Sequence, residues 1–190
     1  MTNFTIDIEP ISMTDEQFFI LCQKNRNLRF ERNANGDLII TSPTGGETSS
    51  SNAGLTGQLW VWNEQKKLGK VFDSSGGFKL PNGANRSPDA AWIPLSHWNS
   101  FTGEQRKKFL PICPDFVVEL LSPTDNLKTT REKMAEYRDN GARLGWLINR
   151  RSKQVEIYRP GEEVEILESP KSLSGETVLP GFKLSMQSIW

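Results

Sequence analysis

The stretch Asp115-Phe-Val-Val-Glu-Leu-Leu121 decides the fold class of this chain of 190 residues. Its apolar side chains would point to both sides of an extended strand, which is typical of a central strand buried on both faces. A helical pattern over residues 126–140 follows and ends at Gly141, and Leu144–Asn149 has the composition of a second strand. The stretch therefore predicts a strand in the middle of a sheet, with a helix lying across that sheet.

The segments on either side add helices and short strands to this unit. Helices are predicted at 14–25, 47–68 and 102–109, the second of them ending at Gly69, and a hairpin is predicted around Asn33-Ala-Asn-Gly36. Further short strands are predicted at 71–73, 77–80, 89–93, 154–158 and 164–167. The order indicates an α/β fold with a mixed central β-sheet flanked by helices. We expect one domain, residues 1–190, with an N-terminal helix and hairpin (1–41) ahead of a core (42–190).

The composition excludes several classes of protein. Lys plus Arg and Asp plus Glu both number 23, so a nucleic-acid contact would have to come from a local basic patch. Cys22 and Cys113 lie far apart, and the single His97 argues against zinc sites and Ser-His-Asp catalysis. No apolar stretch approaches the roughly 20 residues that span a bilayer. Since residues 1–10 also lack the pattern of a secretory signal, we expect a cytoplasmic protein without membrane contact.

Two acidic residues are candidates for a metal site. Asp89 opens a predicted strand, and Glu119 lies inside the central strand among apolar neighbours, where a carboxylate needs a partner. On adjacent strands the two could share one Mg²⁺, which accepts one or two carboxylates together with waters and phosphate. Asp115 is the alternative, but it lies four residues from Glu119 on one strand, roughly 13 Å away. We therefore expect Asp115 in a cap or salt bridge at the edge of the strand.

Two cations on the following helix could reach Glu119. The spacing of Leu127, Thr130, Met134 and Tyr137 predicts the packed face of that helix. Lys133 and Arg131 fall near its opposite borders, so periodicity alone leaves both possible. An ammonium beside a bound phosphate could stabilise developing charge or position a water molecule.

Several short motifs, in a fixed order and covering nearly the whole chain, resemble those of the Uma-two family of restriction-endonuclease-like proteins. They are Arg29-Phe-Glu-Arg, Gly36-Asp-Leu-Ile-Ile-Thr-Ser-Pro-Thr-Gly-Gly-Glu47-Thr, Phe78-Lys-Leu-Pro, Ser87-Pro-Asp89, Pro114-Asp-Phe-Val-Val-Glu119-Leu-Leu-Ser-Pro, Lys133 with Tyr137 and Gly141, Trp146-Leu-Ile, and Leu179-Pro-Gly-Phe182.

The resemblance implies the PD-(D/E)XK nuclease fold and a set of site residues. Asp89 would match the aspartate of the motif, and Glu119 its second acid. The usual lysine two positions later is Leu121 here, and the family's helix-borne lysine would be Lys133. Glu47 resembles an additional acid of the family on the long helix. Its alternative is a first-turn acid that the helix dipole favours.

The resemblance implies a Mg²⁺- or Mn²⁺-dependent endonuclease acting on DNA, with the metal on Asp89 and Glu119 and with Lys133 steadying the attacking water. Candidate phosphate contacts are Arg26, Arg29, Arg32, Lys66, Lys67, Lys70, Arg106, Lys107 and Lys108. The alternative is a catalytically inactive binding or interaction module that keeps the nuclease fold. The zero net charge and the displaced lysine favour this alternative. Trp60, Trp98 and Trp190 would allow a homodimer.

Overall fold

The computed structural model describes residues 3–8, 11, 13–41 and 43–190 of the chain. The strands are β1 (Asn3–Ile6), β2 (Arg29–Arg32), β3 (Leu38–Thr41), β4 (Gly69–Asp73), β5 (Phe78–Lys79), β6 (Asn85–Arg86), β7 (Ala90–Pro94), β8 (Phe116–Leu121), β9 (Leu144–Asn149), β10 (Gln154–Tyr158), β11 (Glu165–Glu168), β12 (Ser172–Ser174) and β13 (Lys183–Ser185). The helices are α1 (Asp15–Lys24), α2 (Gly46–Lys66), α3 (Leu95–Ser100), α4 (Gly103–Arg106) and α5 (Leu127–Asp139), with a 3₁₀ turn at Met186–Ser188.

The main sheet has six strands in the order β11-β10-β9-β8-β7-β4. β8 runs parallel to β9, while the other neighbours are antiparallel, so the sheet is mixed. Five of the six residues of β8 are buried, and the strand lies between β9 and β7. The prediction of a central strand that is buried on both faces is therefore confirmed.

The two faces of the main sheet carry separate cores. Val118 and Leu120 of β8 pack with Leu55 and Leu59 of α2 on one face. Val117 packs on the other face in the cluster that contains Met134 and Tyr137 of α5. Since side chains alternate along a strand, Glu119 shares the α5 face with Val117. The alternation in β8 thus directs one acid of the central strand toward α5.

A second sheet has the order β1-β3-β2-β6-β5. Its hairpin, β2 and β3, turns at Gly36, whose φ of +98° favours glycine. β2 pairs with β6 through Arg32 and Asn85, so the N-terminal hairpin lies beside the segment that leads to Asp89. This pairing brings residues of β2 to the α5 side of the main sheet.

Helix α2 ends two residues earlier than its pattern predicts. Lys67 takes a left-handed conformation with φ 54° and caps the helix, whereas the sequence analysis places the stop at Gly69. Gly69 has another role, because a Cβ there would lie 2.1 Å from the Ile93 carbonyl oxygen and 2.3 Å from the Trp92 ring. The Asn63 side chain binds both the N–H and the carbonyl of Gly69 and closes the turn.

Other differences concern short elements. The helix predicted at 102–109 is reduced to α4, and β1, α3, β6, β12 and β13 were not predicted. These strands have two to four residues, too few for a periodic pattern to stand out. Across the described part of the chain, no helix is long and apolar enough to cross a membrane.

Candidate active site

Asp89 and Glu119 face each other across two neighbouring strands. Ala90 pairs with Val118 in the antiparallel β7–β8 ladder, and one further step of this register places Asp89 opposite Glu119. Residues opposed in this way project to the same face, with Cβ atoms about 4.5–5.5 Å apart. Both are buried, with exposed fractions of 4% and 8%. The main sheet thus presents two adjacent carboxyl groups on its α5 face.

Three groups hold the Asp89 carboxylate. Its Oδ2 accepts a 2.9 Å hydrogen bond from the N–H of Leu120, and its Oδ1 accepts a 3.1 Å bond from the amide of Asn52 on α2. The Arg29 guanidinium on β2 lies 3.9 Å from Oδ1. Burial raises the pKa of Asp89, although the Leu120 N–H and the Arg29 charge oppose that rise. The carboxylate is fixed in orientation yet retains affinity for a positive charge.

Glu119 is bound from α5 by two side chains. Lys133 Nζ lies 2.7 Å from Oε1, and the Tyr137 hydroxyl donates a 3.0 Å hydrogen bond to the same oxygen. These two contacts leave Oε2 to another ligand. Burial raises the pKa of Glu119 to about 7; the Lys133 charge opposes this, and the charges of Asp89 and Glu31 add to it.

The structure separates the two helix cations that periodicity left open. Lys133 reaches Glu119, whereas Arg131 binds Glu156 with Nε at 2.8 Å and Nη2 at 2.6 Å from one carboxylate oxygen. Glu156 also accepts a 2.8 Å bond from the Tyr158 hydroxyl. Arg131 therefore completes an ion pair on β10, and Lys133 is the helix cation that contacts the candidate acid pair.

Glu31 on β2 also lies at the candidate site, although it was not among the predicted site residues. Lys133 Nζ donates a 2.8 Å hydrogen bond to Glu31 Oε1, which also accepts from the N–H of Ser87 at 2.9 Å. Arg86 Nη1 lies 3.2 Å from the other oxygen. Burial alone would raise the pKa of Glu31, but the Lys133 and Arg86 charges outweigh it and lower that pKa to about 2. Glu31 is therefore a fixed negative charge that holds Lys133.

Two other predicted acids lie elsewhere. Glu47, in the first turn of α2, is 88% exposed, and its Oε2 lies 3.9 Å from Arg150 Nη2, so the structure does not bring it to the acid pair. Asp115, just before β8, contacts His97 Nδ1 at 2.9 Å and Arg143 Nη1 at 3.8 Å, which is the edge ion pair that the sequence analysis expects.

Two cavities meet beside Asp89. The first, which we call the α5 cavity, measures about 660 Å³, lies between the β2–β3 hairpin and the start of α5, and contains Glu119 and Lys133. The second, the α2 groove, measures about 690 Å³ and runs between α2 and β4. Arg29 and Asp89 line both. A ligand in either cavity can thus reach the same carboxylate.

The residues at this junction fit a small hard cation. Mg²⁺ in proteins is held by one or two carboxylates together with waters and substrate phosphates, and Asp89 and Glu119 supply two carboxylates side by side. Asn52 Oδ1 is buried and has no hydrogen-bond partner, so an oxygen beside Asp89 is left for a cation or its water. No three His, Cys, Asp or Glu residues gather into a metal-binding group anywhere in the described ranges. The arrangement therefore suits a partly hydrated ion rather than a closed protein cage.

Most of the predicted phosphate contacts and tryptophans have other partners. Arg32 pairs with Asp15, Lys108 with Glu16, and Lys107 Nζ lies 2.8 Å from Glu104. Trp98 lies under the Arg106 guanidinium, and Trp190 packs against the core of the main sheet, whereas Trp60 is 55% exposed. Of the three tryptophans, Trp60 is the one that remains available to a ligand or a partner.

Comparisons with known proteins indicate a family and a fold. The model of the Uma2 family, described as "Putative restriction endonuclease", matches residues 15–187. A crystal structure of a putative nuclease belonging to DUF820 from Anabaena variabilis ATCC 29413 aligns with a TM-score of 0.71 and 18% sequence identity, over 84% of this chain and 88% of that chain. At this identity the likeness shows a shared fold. No curated protein matches the sequence.

Proposed function

The chain belongs to the Uma2 family, and on that premise we propose that it is an endonuclease that uses Mg²⁺ or Mn²⁺ to hydrolyse phosphodiester bonds in DNA. One observation carries the proposal. Asp89 and Glu119 are opposed on one face of the sheet, and the ammonium of Lys133, whose side chain is 17% exposed, lies 2.7 Å from Glu119. Paired carboxylates beside a cation are groups that can hold a metal and stabilise a charged phosphate.

In this proposal Asp89 and Glu119 hold the metal ion. The ion, when bound, lowers the pKa of a coordinated water and neutralises charge on the phosphate. The Leu120 N–H and the Asn52 amide keep the Asp89 carboxylate in one orientation, and Tyr137 and Lys133 do the same for Glu119. Such pre-orientation reduces the reorganisation needed when the substrate phosphate arrives.

Lys133 is proposed to act on the phosphate. Two of its three N–H donors are directed to Glu119 and Glu31, and the third remains for a phosphate oxygen or the attacking water. During hydrolysis the oxygen of water bonds to phosphorus as the bond to the leaving oxygen breaks, and the proton that the water gives up is balanced by the one that the leaving oxygen takes from solvent. Negative charge then grows on the phosphate oxygens, and an ammonium held beside them stabilises that charge.

A second candidate, the non-catalytic binding module, also has an observation in its favour. Lys133 lies between the carboxylates of Glu119 and Glu31, so its charge is largely compensated before a phosphate arrives. In this alternative the acids and the lysine hold the sheets together, and the cavities bind a partner without hydrolysing it.

Cleavage of supercoiled plasmid DNA with Mg²⁺ or Mn²⁺ separates the two candidates. Asp89→Asn, Glu119→Gln and Lys133→Met are expected to abolish nicking. The matched control is Asp139→Asn, an acid of α5 that is 63% exposed and does not line the α5 cavity, which is expected to cleave like the wild type. Glu47→Gln tests whether the exposed acid beside Arg150 takes part.

Isothermal titration of Mn²⁺ supplies a readout that is independent of cleavage. Asp89→Asn and Glu119→Gln are expected to lose binding, whereas Lys133→Met should retain it because it removes no carboxylate. Wild-type protein that cleaves nothing with any divalent ion, while still binding a partner, would favour the module instead.

A further inference from the structure

The α2 groove has a lining unlike that of the α5 cavity. One stripe of α2, at positions 49, 52, 53, 56, 57 and 60, faces β4 and the turn at 73–76. Up to Gly57 these side chains are small, and a Cβ added to Gly57 would meet nothing within 4 Å. The stripe then ends at the exposed indole of Trp60. The groove is therefore an open slot with a flat aromatic wall at one end.

The other end of the slot is the proposed metal site. Asn52 and Asp89 close it there, and Arg29 spans the end because its Nη2 donates a 2.9 Å hydrogen bond to the Ser74 carbonyl. Trp60 lies eight residues after Asn52, which is about 12 Å along a helix. The Trp60 ring thus lies about the length of one or two nucleotides from the place where a phosphate would be cleaved.

The charges along the groove suit a base rather than a phosphate in its middle. Arg29 is the one cation among its described lining residues, and it lies at the Asp89 end. Beyond Trp60, residues 61–70 carry Lys66, Lys67 and Lys70 against Glu64, a local excess of positive charge. Apart from Asp73 on the β4 side, the middle of the slot is lined by hydroxyl, glycine, apolar and aromatic groups, which suit a stacked base rather than a phosphate.

From this arrangement we propose that the α2 groove binds an unpaired nucleotide of the substrate, with its base stacked on Trp60 and its phosphate at Asp89. This inference rests on the proposed nuclease function and narrows the substrate to single-stranded or locally unpaired nucleic acid. A duplex keeps its bases stacked on each other, so the slot admits a base that has left the stack or never had a partner.

Fluorescence anisotropy with a labelled 12-nucleotide single strand and its duplex, both in Ca²⁺, tests the proposal. Wild type should bind the single strand more tightly. Trp60→Ala should weaken single-strand binding by roughly 5- to 100-fold, the effect of removing one base–aromatic stack, and change duplex binding less than twofold. Trp60→Phe should keep most of the affinity. Leucine is a good helix former, so Gly57→Leu should fill the slot without disturbing α2. It should weaken binding of the single strand as Trp60→Ala does.

The control is Val61→Ala, which removes an exposed neighbour of Trp60 that does not line the groove and should leave both affinities unchanged. Equal binding of both DNA forms, or no effect of Trp60→Ala, overturns the groove proposal; if metal-dependent cleavage persists, the proposed function stands. If neither DNA form binds and none is cleaved, both proposals fail. Sedimentation tests a different role for Trp60. If the wild type is a dimer and Trp60→Ala is a monomer, the indole contacts a second copy of the chain, and the inference is overturned.

Discussion

The ammonium of Lys133 lies 2.7 Å from Glu119 of β8 and 2.8 Å from Glu31 of β2, and so joins α5 to two different sheets. The main sheet supplies the carboxylate proposed to bind metal, and the hairpin sheet supplies the counter-charge. Glu31 is itself held by Arg86 and by the N–H of Ser87, two residues before Asp89. One glutamate thus connects the lysine to the loop that carries the other acid of the pair.

Glu31→Gln should test this connection through stability. The folded-state pKa of Glu31, about 2, lies below the ordinary 4.5, so its carboxylate stabilises the fold above pH 4.5, and this contribution is lost as the pH falls toward 2. At pH 7 we expect a loss of about 1–3 kcal/mol, typical of a hydrogen bond to a charged group. Urea unfolding at pH 7, 4 and 3 measures it, and the difference from wild type should shrink with acidity.

Glu132→Gln, on the exposed side of α5, serves as the control and should change stability by less than about 0.5 kcal/mol. If the Glu31→Gln difference stayed constant from pH 7 to pH 3, the ion pair would not be the source of the effect. A positioning role also predicts that Glu31→Gln shifts the pH profile of cleavage, because Lys133 and Glu119 would lose a neighbouring charge.

Sequence patterns within single helices and strands predict part of the fold and of the candidate site. The central strand, α5 and the choice of Asp89 and Glu119 come from apolar alternation, helical spacing and the cost of a buried carboxylate. Strand neighbours then decide which acids meet, and the β7–β8 register places these two opposite each other.

Glu31 and Asn52 could not be found in this way. Glu31 meets Lys133 across 102 residues of sequence, and the contact depends on how the hairpin sheet lies against α5. Asn52 follows three serines in α2, so nothing in the sequence distinguishes it from its polar neighbours. The packing of α2 on β7 is what directs its side chain to Asp89. The close approach of β4 to β7 explains Gly69, whose sequence context suggests a helix stop but whose missing Cβ is required by Trp92.

Gly69→Ala and Gly57→Ala form a matched pair that tests this packing. The new Cβ at Gly69 would lie 2.1 Å from a backbone oxygen, so β4 must shift away from β7 and stability should fall by more than about 3 kcal/mol. Gly57 lies inside α2 with open space around it, and alanine there should stabilise by about 0.5–1 kcal/mol. Thermal unfolding measures both; similar midpoints for the two variants would contradict the close approach of β4 to β7.

Metal affinity should depend on pH through Glu119. The pKa of Glu119 in the folded protein, about 7, is above the ordinary 4.5, so the folded state holds this proton more tightly than the unfolded state does. The resulting stabilisation is complete below pH 4.5 and is lost as the pH rises through 7. A metal ion competes with that proton. As the pH rises toward 7, the apparent Kd for Mn²⁺ should therefore fall by up to about tenfold per pH unit, and above pH 7 it should stay constant.

Calorimetric titrations between pH 5.5 and 8.5, in two buffers of different ionisation enthalpy, measure the affinity and the proton released. The groups that face Glu119 are Lys133 and Tyr137 from α5, Asp89 beside β7 and Glu31 from β2. An affinity for Mn²⁺ that is the same at pH 6 and pH 8, with no proton released, would show that Glu119 is ionised before the metal binds.

Asn52 offers the sharpest test of where the ion lies. Its amide donates to Asp89 Oδ1, while its own Oδ1 is buried without a hydrogen-bond partner. Asn52→Asp adds a carboxylate at this position, so without metal it should repel Asp89 and lower the free energy of unfolding by about 1–3 kcal/mol. With metal the third acid becomes an advantage, and we expect Mn²⁺ to bind about tenfold more tightly and to restore the lost stability.

Asn52→Leu, which removes both amide groups, should bind Mn²⁺ more weakly, and Ser50→Ala, on an exposed position of the same helix, should match wild type. If Asn52→Asp weakened Mn²⁺ binding as much as Asn52→Leu does, Asn52 would serve Asp89 only as a hydrogen-bond donor, and the ion would lie on the Glu119 side of the pair.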